Sequence, residues 1–292
     1  MKNQKKIYVE LVGGLGNQLF QAVAALSLAQ KLSYEPIAIV NRVSKSHSHR
    51  NTIFDEMSWS SLRKTELCSA AMLLVIIGLR LASWRKTNSF SFLGISFYSP
   101  RETGYSLSEV KGNIVFLRGY FQSYRYLSEI EKEMLPSLTN PSEIFVALES
   151  ELKLEKPIVL HIRKGDFDLA KNPHGLVPPD YYKASLSVIE EIGCDVISSW
   201  VFTDDPRGIS DYLKDLPVSK LPSQAHGLTT TEELFLISKA NCLVIGNSTF
   251  GIWGALLAEA QSQMEILVIR PTNPFQRMSV PKDLYPKHWV CV

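Results

Sequence analysis

From Ile158 onward the chain alternates short apolar runs with helix-length segments, and few folds accept that rhythm. Ile158–Ile162 is a β-branched run of the length expected for a buried strand. Trp200–Thr203, Cys242–Ile245 and Glu265–Arg270 repeat it. Pro179–Ile192 reads as a helix opened by proline, Thr231–Ala240 as a second, and the latter part of Gly246–Leu256 as a third. The alternation predicts a parallel sheet covered by helices on both faces. Ligands of such sheets bind beyond the C-terminal ends of the strands, so function is sought in the residues that follow each strand.

The first half opens the same way. Ile7–Val12 reads as a strand, Gly13-Gly-Leu-Gly-Asn-Gln18 as a turn, and Leu19, Phe20, Val23, Leu26 and Gln30 fall at helical spacing, with Asn17 as the expected N-cap. Glycines that admit close approach, followed by the free N–H groups of a helix start, suit an anion. The turn lacks the third glycine of the dinucleotide fingerprint, where Leu19 stands, and the Gly-Lys-Ser/Thr of a P-loop. A tight βα turn with no ligand has the same sequence. Pro36–Val40 and Asn113–Leu117 add strands, and Ser123–Leu135 and Ser142–Leu152 read as helices. A length of 292 residues predicts about two domains. The boundary is placed near residue 150, giving an N-terminal domain over 1–150 and a C-terminal domain over 151–292.

Composition narrows the classes. The 31 basic and 29 acidic residues nearly cancel, which argues against wholesale nucleic-acid binding. Cys68, Cys194, Cys242 and Cys291 are scattered, form no CxxC pair and suggest a reducing compartment rather than a zinc site or disulfide framework. The basic N-terminus leads straight into the first strand, so a cytoplasmic protein without a cleaved leader is expected. Ala70–Leu79 is apolar but too short to span a bilayer. Burial in the N-terminal core is the expected fate. Basic Arg63, Lys64, Arg80, Arg85 and Lys86 around it make docking on an anionic membrane the alternative.

The strand end at Ile162 carries the densest chemistry, with His161, Arg163, Lys164 and Asp166 close together and Gly165 among them. An Arg fork can hold two diphosphate oxygens, and a Lys supplies a point charge. An Arg–Asp surface pair is the plainer reading. Asn247, Ser248 and Thr249 stand at another strand end and helix start, where hydroxyl and backbone donors face an anion. Asp204 and Asp205, before Pro206, follow a third strand and read either as a ligand contact or as a cap.

Three blocks in order then carry a family likeness: Gly13-Gly-Leu-Gly-Asn-Gln-Leu-Phe-Gln21, His161-Ile-Arg-Lys-Gly-Asp-Phe167 and Gly246-Asn-Ser-Thr-Phe-Gly-Ile-Trp-Gly-Ala255. With Gly119-Tyr-Phe-Gln-Ser123, Phe202-Thr-Asp-Asp205 and Glu232–Ala240 between them, the chain resembles the bacterial α-1,2-fucosyltransferases of glycosyltransferase family 11. It departs from the usual pattern at Lys164, where the family has Arg, and at Gly251-Ile252, where it has Ser-Trp. The resemblance implies an α/β GT-B-type fold of two Rossmann-like domains facing a cleft. It also implies GDP-L-fucose as donor and inverting transfer to the 2-hydroxyl of a galactoside, which could be lipid-linked.

On that reading Arg163 is the main diphosphate contact and Lys164 a secondary one. Asn247, Ser248 and Thr249 add donors, and Gly14, Gly16, Asn17 and Gln18 face them. His161 and Asp205 are candidates for the guanine or ribose. Asp168 is the named candidate for the base, and His174 could orient the acceptor. No metal or other cofactor is expected: Asp166-Phe-Asp168 spells DxD, but Arg163 and Lys164 already supply positive charge for the same phosphates. A fucosyltransferase of another linkage, α-1,3 or α-1,6, and a non-catalytic nucleotide-sugar-binding protein are the alternatives.

Overall fold

The computed structural model describes residues 5–40, 53–106, 111–165, 175–222, 227–276 and 278–292. Asp166, Asp168 and His174 lie outside the described residues. The chain divides into two compact units, Met1–Ser137 with Pro281–Leu284, and Leu138–Val280 with Tyr285–Val292. The division falls ahead of α3 (Glu143–Glu155), which packs on a helix of the second unit rather than closing the first.

In the first unit the elements run β1 (Lys6–Glu10), α1 (Leu15–Leu32), β2 (Glu35–Ile39), β3 (Met57–Ser58), β4 (Arg63–Thr65), α2 (Ser69–Trp84), β5 (Ser89–Phe92), β6 (Ile95–Tyr98) and β7 (Ile114–Leu117). The two-residue strands β3 and β8 (Ser137–Leu138) stand outside both main sheets. The sheet order is β4-β2-β1-β7-β6-β5, parallel throughout except for the β5–β6 hairpin. Helix α1 is buried from Leu15 through Ala29 except at Asn17, and its alanines 22, 24, 25 and 29 let neighbouring backbone come close.

Three local expectations need correction. The cap of α1 is Gly14, in extended conformation, and Asn17 sits in the first turn with its N–H donating to the Gly14 carbonyl at 3.0 Å. The segment expected as a helix over Ser123–Leu135 is two 3₁₀ pieces, Tyr124–Glu129 and Lys132–Met134, separated by extended Ile130. Ser123 fixes the first piece by accepting the Arg125 N–H at 3.2 Å. Helix α2 is not a buried core helix: Val75, Leu79 and Ala82 pack on Phe97, with Phe90 and Phe116 alongside, while Leu73, Leu74, Ile77, Leu81 and Trp84 are exposed.

In the second unit α3 is followed by β9 (Ile158–Ile162), α4 (Pro179–Glu191), β10 (Ser199–Thr203), α5 (Ser210–Leu213), β11 (Val218–Lys220), α6 (Thr230–Ile237), β12 (Cys242–Ile245), α7 (Thr249–Gln261), β13 (Leu267–Arg270) and β14 (Val290–Cys291). The order is β11-β10-β9-β12-β13-β14, all parallel. Every residue of β9 and β10 is buried, as continuous apolar runs between two helical layers require. From β9 the chain proceeds outward through β10 to β11, then returns to start again at β12 on the other side. The order therefore reverses between β9 and β12, with Ile245 level with His161. Open α/β sheets hold their ligands at such a reversal, outside the carboxyl ends of the two strands.

Two tyrosines of α4 fasten those ends. The Tyr182 hydroxyl donates to the His161 carbonyl at 3.2 Å. The Tyr181 hydroxyl reaches the carbonyls of Ile245 at 2.7 Å and Ile269 at 3.2 Å. Burial raises the pKa of both phenols well above the ordinary tyrosine range, so they remain donors.

Candidate functional site

At the reversal point β9 delivers Arg163, Lys164 and Gly165, and β12 delivers Gly246, Asn247 and Ser248 into the start of α7. Ser248 is the N-cap of α7, its hydroxyl accepting the Phe250 N–H at 3.2 Å. Thr249 opens the helix and is partly exposed. The first-turn N–H groups of a 13-residue helix thus project at the level of Arg163.

Asp204, the first residue past β10, organises the other side. Its Oδ1 accepts the backbone N–H groups of Lys164 at 2.9 Å and Gly165 at 3.3 Å, and its Oδ2 lies 3.2 Å from an Arg163 guanidinium nitrogen. Both side chains of this pair are about one-quarter exposed. Gly165 is required by the approach: a Cβ there would stand 2.3 Å from Asp204 Oδ2.

The other expected contacts are engaged elsewhere. The Lys164 ammonium turns away from the strand end, donating to the Gly208 carbonyl and lying 5.7 Å from the centre of the Tyr212 ring. Asp205 closes a turn, its Oδ1 accepting the Gly208 N–H at 3.0 Å, which is the role of a cap. Asn247 is buried and its amide donates to the carbonyls of Gly175 at 3.0 Å and Pro274 at 2.8 Å, bracing two loops.

His161 is in the floor. Its ring lies 5.5 Å from that of Phe250, and its Nδ1 has no hydrogen-bond partner among the described residues. Gly251 leaves the room it occupies: a Cβ at that position would fall 2.6 Å from His161 Nδ1. Burial, with a smaller contribution from Arg163, lowers the His161 pKa to about 3. The ring is therefore neutral, and its protonation favours the unfolded chain. Its contribution to stability is complete above about pH 6.5 and is lost as pH falls toward 3. Denaturant unfolding should show about 2 kcal/mol less stability at pH 5 than at pH 7 from this group. His161→Gln should be less stable at neutral pH but lack that portion of the slope. Identical slopes in the two proteins would contradict the buried neutral ring.

In the first unit the order also reverses, between β1 and β7. Past those strand ends Gln18 donates to the Gly13 carbonyl at 3.0 Å and accepts the Ile53 N–H at 3.2 Å, while Asn17 accepts from the Gln122 amide at 3.0 Å. Gly14 and Gly16 belong to the turn and the first turn of α1. The turn is held by its own side chains, and Gln21 completes it by bonding both the N–H and the carbonyl of Val12. A buried carboxylate, Glu10, receives a two-pronged contact from Arg118, 3.0 Å at one oxygen.

Sequence reasoning offered Asp204 as a ligand contact or a cap, not as the partner of Arg163, and did not single out the buried Glu10–Arg118 pair. The available signals were an acid directly after a buried strand and a lone acid inside an apolar one.

Residues 106–292 match the model of the family described as Glycosyl transferase family 11. The chain is 28% identical to the O-antigen biosynthesis glycosyltransferase WbnK of Escherichia coli, over 92% of this chain and 95% of that protein. It is 26% identical to the alpha-1,2-colitosyltransferase of Escherichia coli, over 97% and 98%. It is 22% identical to a galactoside 2-alpha-L-fucosyltransferase of Caenorhabditis elegans, over 94% and 76%. Its fold is similar to that of POFUT1 solved in complex with GDP-fucose, with a TM-score of 0.54 at 13% identity, over 92% of this chain and 99% of that one. The α/β architecture of parallel sheets is thus of the GT-B type found in fucosyltransferases. The match spans the strand ends that carry Arg163, Asp204 and Ser248, and the chain belongs to glycosyl transferase family 11, the family of the α-1,2-fucosyltransferases that its motifs resemble.

Proposed function

We propose that this enzyme transfers L-fucose from GDP-L-fucose to the 2-hydroxyl of a galactoside, with inversion, in the synthesis of a surface polysaccharide. The observation that carries the reading is that Arg163 follows β9 and the N-terminus of α7 follows β12, neighbouring strands at the strand-order reversal of the second unit. As the bond to the anomeric carbon breaks, negative charge gathers on the departing diphosphate. A guanidinium fork and a row of N–H groups fixed in advance stabilise that charge without reorganising. The acceptor hydroxyl attacks from the opposite face of the sugar. His161, with a pKa of about 3, is too weak a base to take its proton.

We propose further that no metal takes part, since Arg163 and the helix start answer the same electrostatic demand that a divalent ion would. The test is an assay with GDP-fucose and lactose, followed by linkage analysis and repeated in excess EDTA. The expected results are an α-1,2 product and an initial rate within about twofold of the untreated enzyme. An α-1,3 or α-1,6 product would overturn the linkage. Loss of activity rescued by Mn²⁺ would overturn the metal-free reading. Donor binding without turnover on any galactoside would point to a non-catalytic protein.

The colitosyltransferase relative supports a second reading, in which the sugar moved is colitose. Competing colitose and fucose donors in one assay would rank the two.

A further inference from the structure

Helix α2 has two apolar faces where its place on the sheet needs one. Val75, Leu79 and Ala82 are buried on Phe97. Leu73, Leu74, Ile77, Leu81 and Trp84 are between 38% and 78% exposed. At about 100° per residue these five fall within one arc of about 100°, with Arg80 at its margin. The stripe follows a helix of 16 residues, about 24 Å long. Large exposed side chains gathered in a continuous stripe mark a surface that meets something apolar.

The charge around the stripe identifies the partner. Residues 67–101 hold Arg80, Arg85, Lys86 and Arg101 and no Asp or Glu, in a chain with 29 acids overall. Three of the four cations lie around the C-terminal end of α2, beside the most exposed residue of the stripe, Trp84. Arg101 donates to the carbonyls of Ser83 at 3.1 Å and Trp84 at 3.2 Å, and the Arg85 guanidinium lies 4.9 Å from the centre of the Phe90 ring. A second copy of the chain would bring like charges together at this face. An anionic bilayer satisfies both features, since apolar side chains enter the acyl boundary and cations meet headgroups. A tryptophan at the end of the stripe suits the headgroup level, where indole rings concentrate. Among the described residues no helix is long and apolar enough to cross a membrane, so α2 would lie along the surface.

We propose that α2 docks this protein on an anionic phospholipid surface, with Leu73, Leu74, Ile77, Leu81 and Trp84 inserted and Arg80, Arg85, Lys86 and Arg101 on the headgroups. The surface lies wholly within the first unit, and the proposal does not depend on which sugar is transferred.

Co-sedimentation with phosphatidylglycerol vesicles and with phosphatidylcholine vesicles, at low and high salt, tests it without any substrate. The full chain should bind the anionic vesicles, release in part at high salt, and leave the neutral ones unbound. Replacing Leu73, Leu74 and Ile77 together with serine should weaken binding at least tenfold. The side chains are about half or more exposed, so the melting temperature should fall by only a few degrees. Arg80→Gln with Lys86→Gln should weaken binding about 25-fold, because each cation near an anionic surface contributes about fivefold. A blue shift of tryptophan emission on adding vesicles should vanish in Trp84→Phe. Failure of the unaltered chain to bind anionic vesicles, or equal binding by the serine variant, overturns the proposal. So does sedimentation velocity showing a dimer that the serine substitutions dissolve, since the stripe would then be an interface between copies.

Discussion

Arg163→Ala is expected to lower transfer by on the order of 10²–10³-fold, the cost of removing one preorganised donor aimed at developing charge. Arg163→Lys should recover little of it, because an ammonium cannot reproduce the two-pronged geometry of a guanidinium. The pair with Asp204, at 3.2 Å, holds the guanidinium where β9 ends. Lys164→Ala should cost far less, for its ammonium is bound to the Gly208 carbonyl and the Tyr212 ring. The measurement is kcat/KM on purified, folded variants. A rate for Arg163→Ala within a few-fold of the unaltered enzyme would remove this residue from the site. A large loss in Lys164→Ala alone would transfer the role to Lys164.

Asp204→Ala carries the second-largest effect, and it has two parts. The carboxylate accepts two backbone N–H groups from the loop after β9 and pairs with Arg163. Its loss leaves those donors without their acceptor, which should reduce stability by about 1–3 kcal/mol. It also frees the guanidinium to wander, which should lower kcat/KM by about 10–100-fold. The informative comparison is the double variant. If Asp204 acts only by positioning Arg163, then Arg163→Ala with Asp204→Ala should be no slower than Arg163→Ala alone. Additive losses would mean that Asp204 touches the reacting molecules itself. Asp204→Asn should retain most of the stability, since one amide oxygen still accepts, while losing most of the rate.

Strands β9, β10, β12 and β13 were legible because they are apolar runs bounded by turn residues, whereas β11 and β14, three and two residues long, carry no such run. That ligand-binding residues should follow the strands could be read from the alternation, but not the strand order that sets the ends of β9 and β12 side by side. What could not be read was the direction of individual side chains at those ends. Arg163 and Lys164 are neighbours of equal charge, yet in the loop after β10 one meets the Asp204 carboxylate and the other the Gly208 carbonyl. Asp204 and Asp205 divide in the same way between the loop after β9 and a turn of their own. Helix α2 was unreadable for another reason. Its apolar residues run all round the helix, so the sequence does not say which face packs on Phe97 and which remains outside.

The tyrosine hydroxyls of α4 have a consequence for how a donor would be received. By bonding the carbonyls of His161, Ile245 and Ile269, they join the carboxyl ends of β9, β12 and β13 to a single helix. Three strand tips that could fray separately are thereby made to fluctuate together. A nucleotide arriving at that edge meets a floor whose freedom was already given up when the chain folded. Less conformational entropy remains to be lost on binding there, and affinity depends more on the charge of Arg163 and less on the slack of the backbone beneath it.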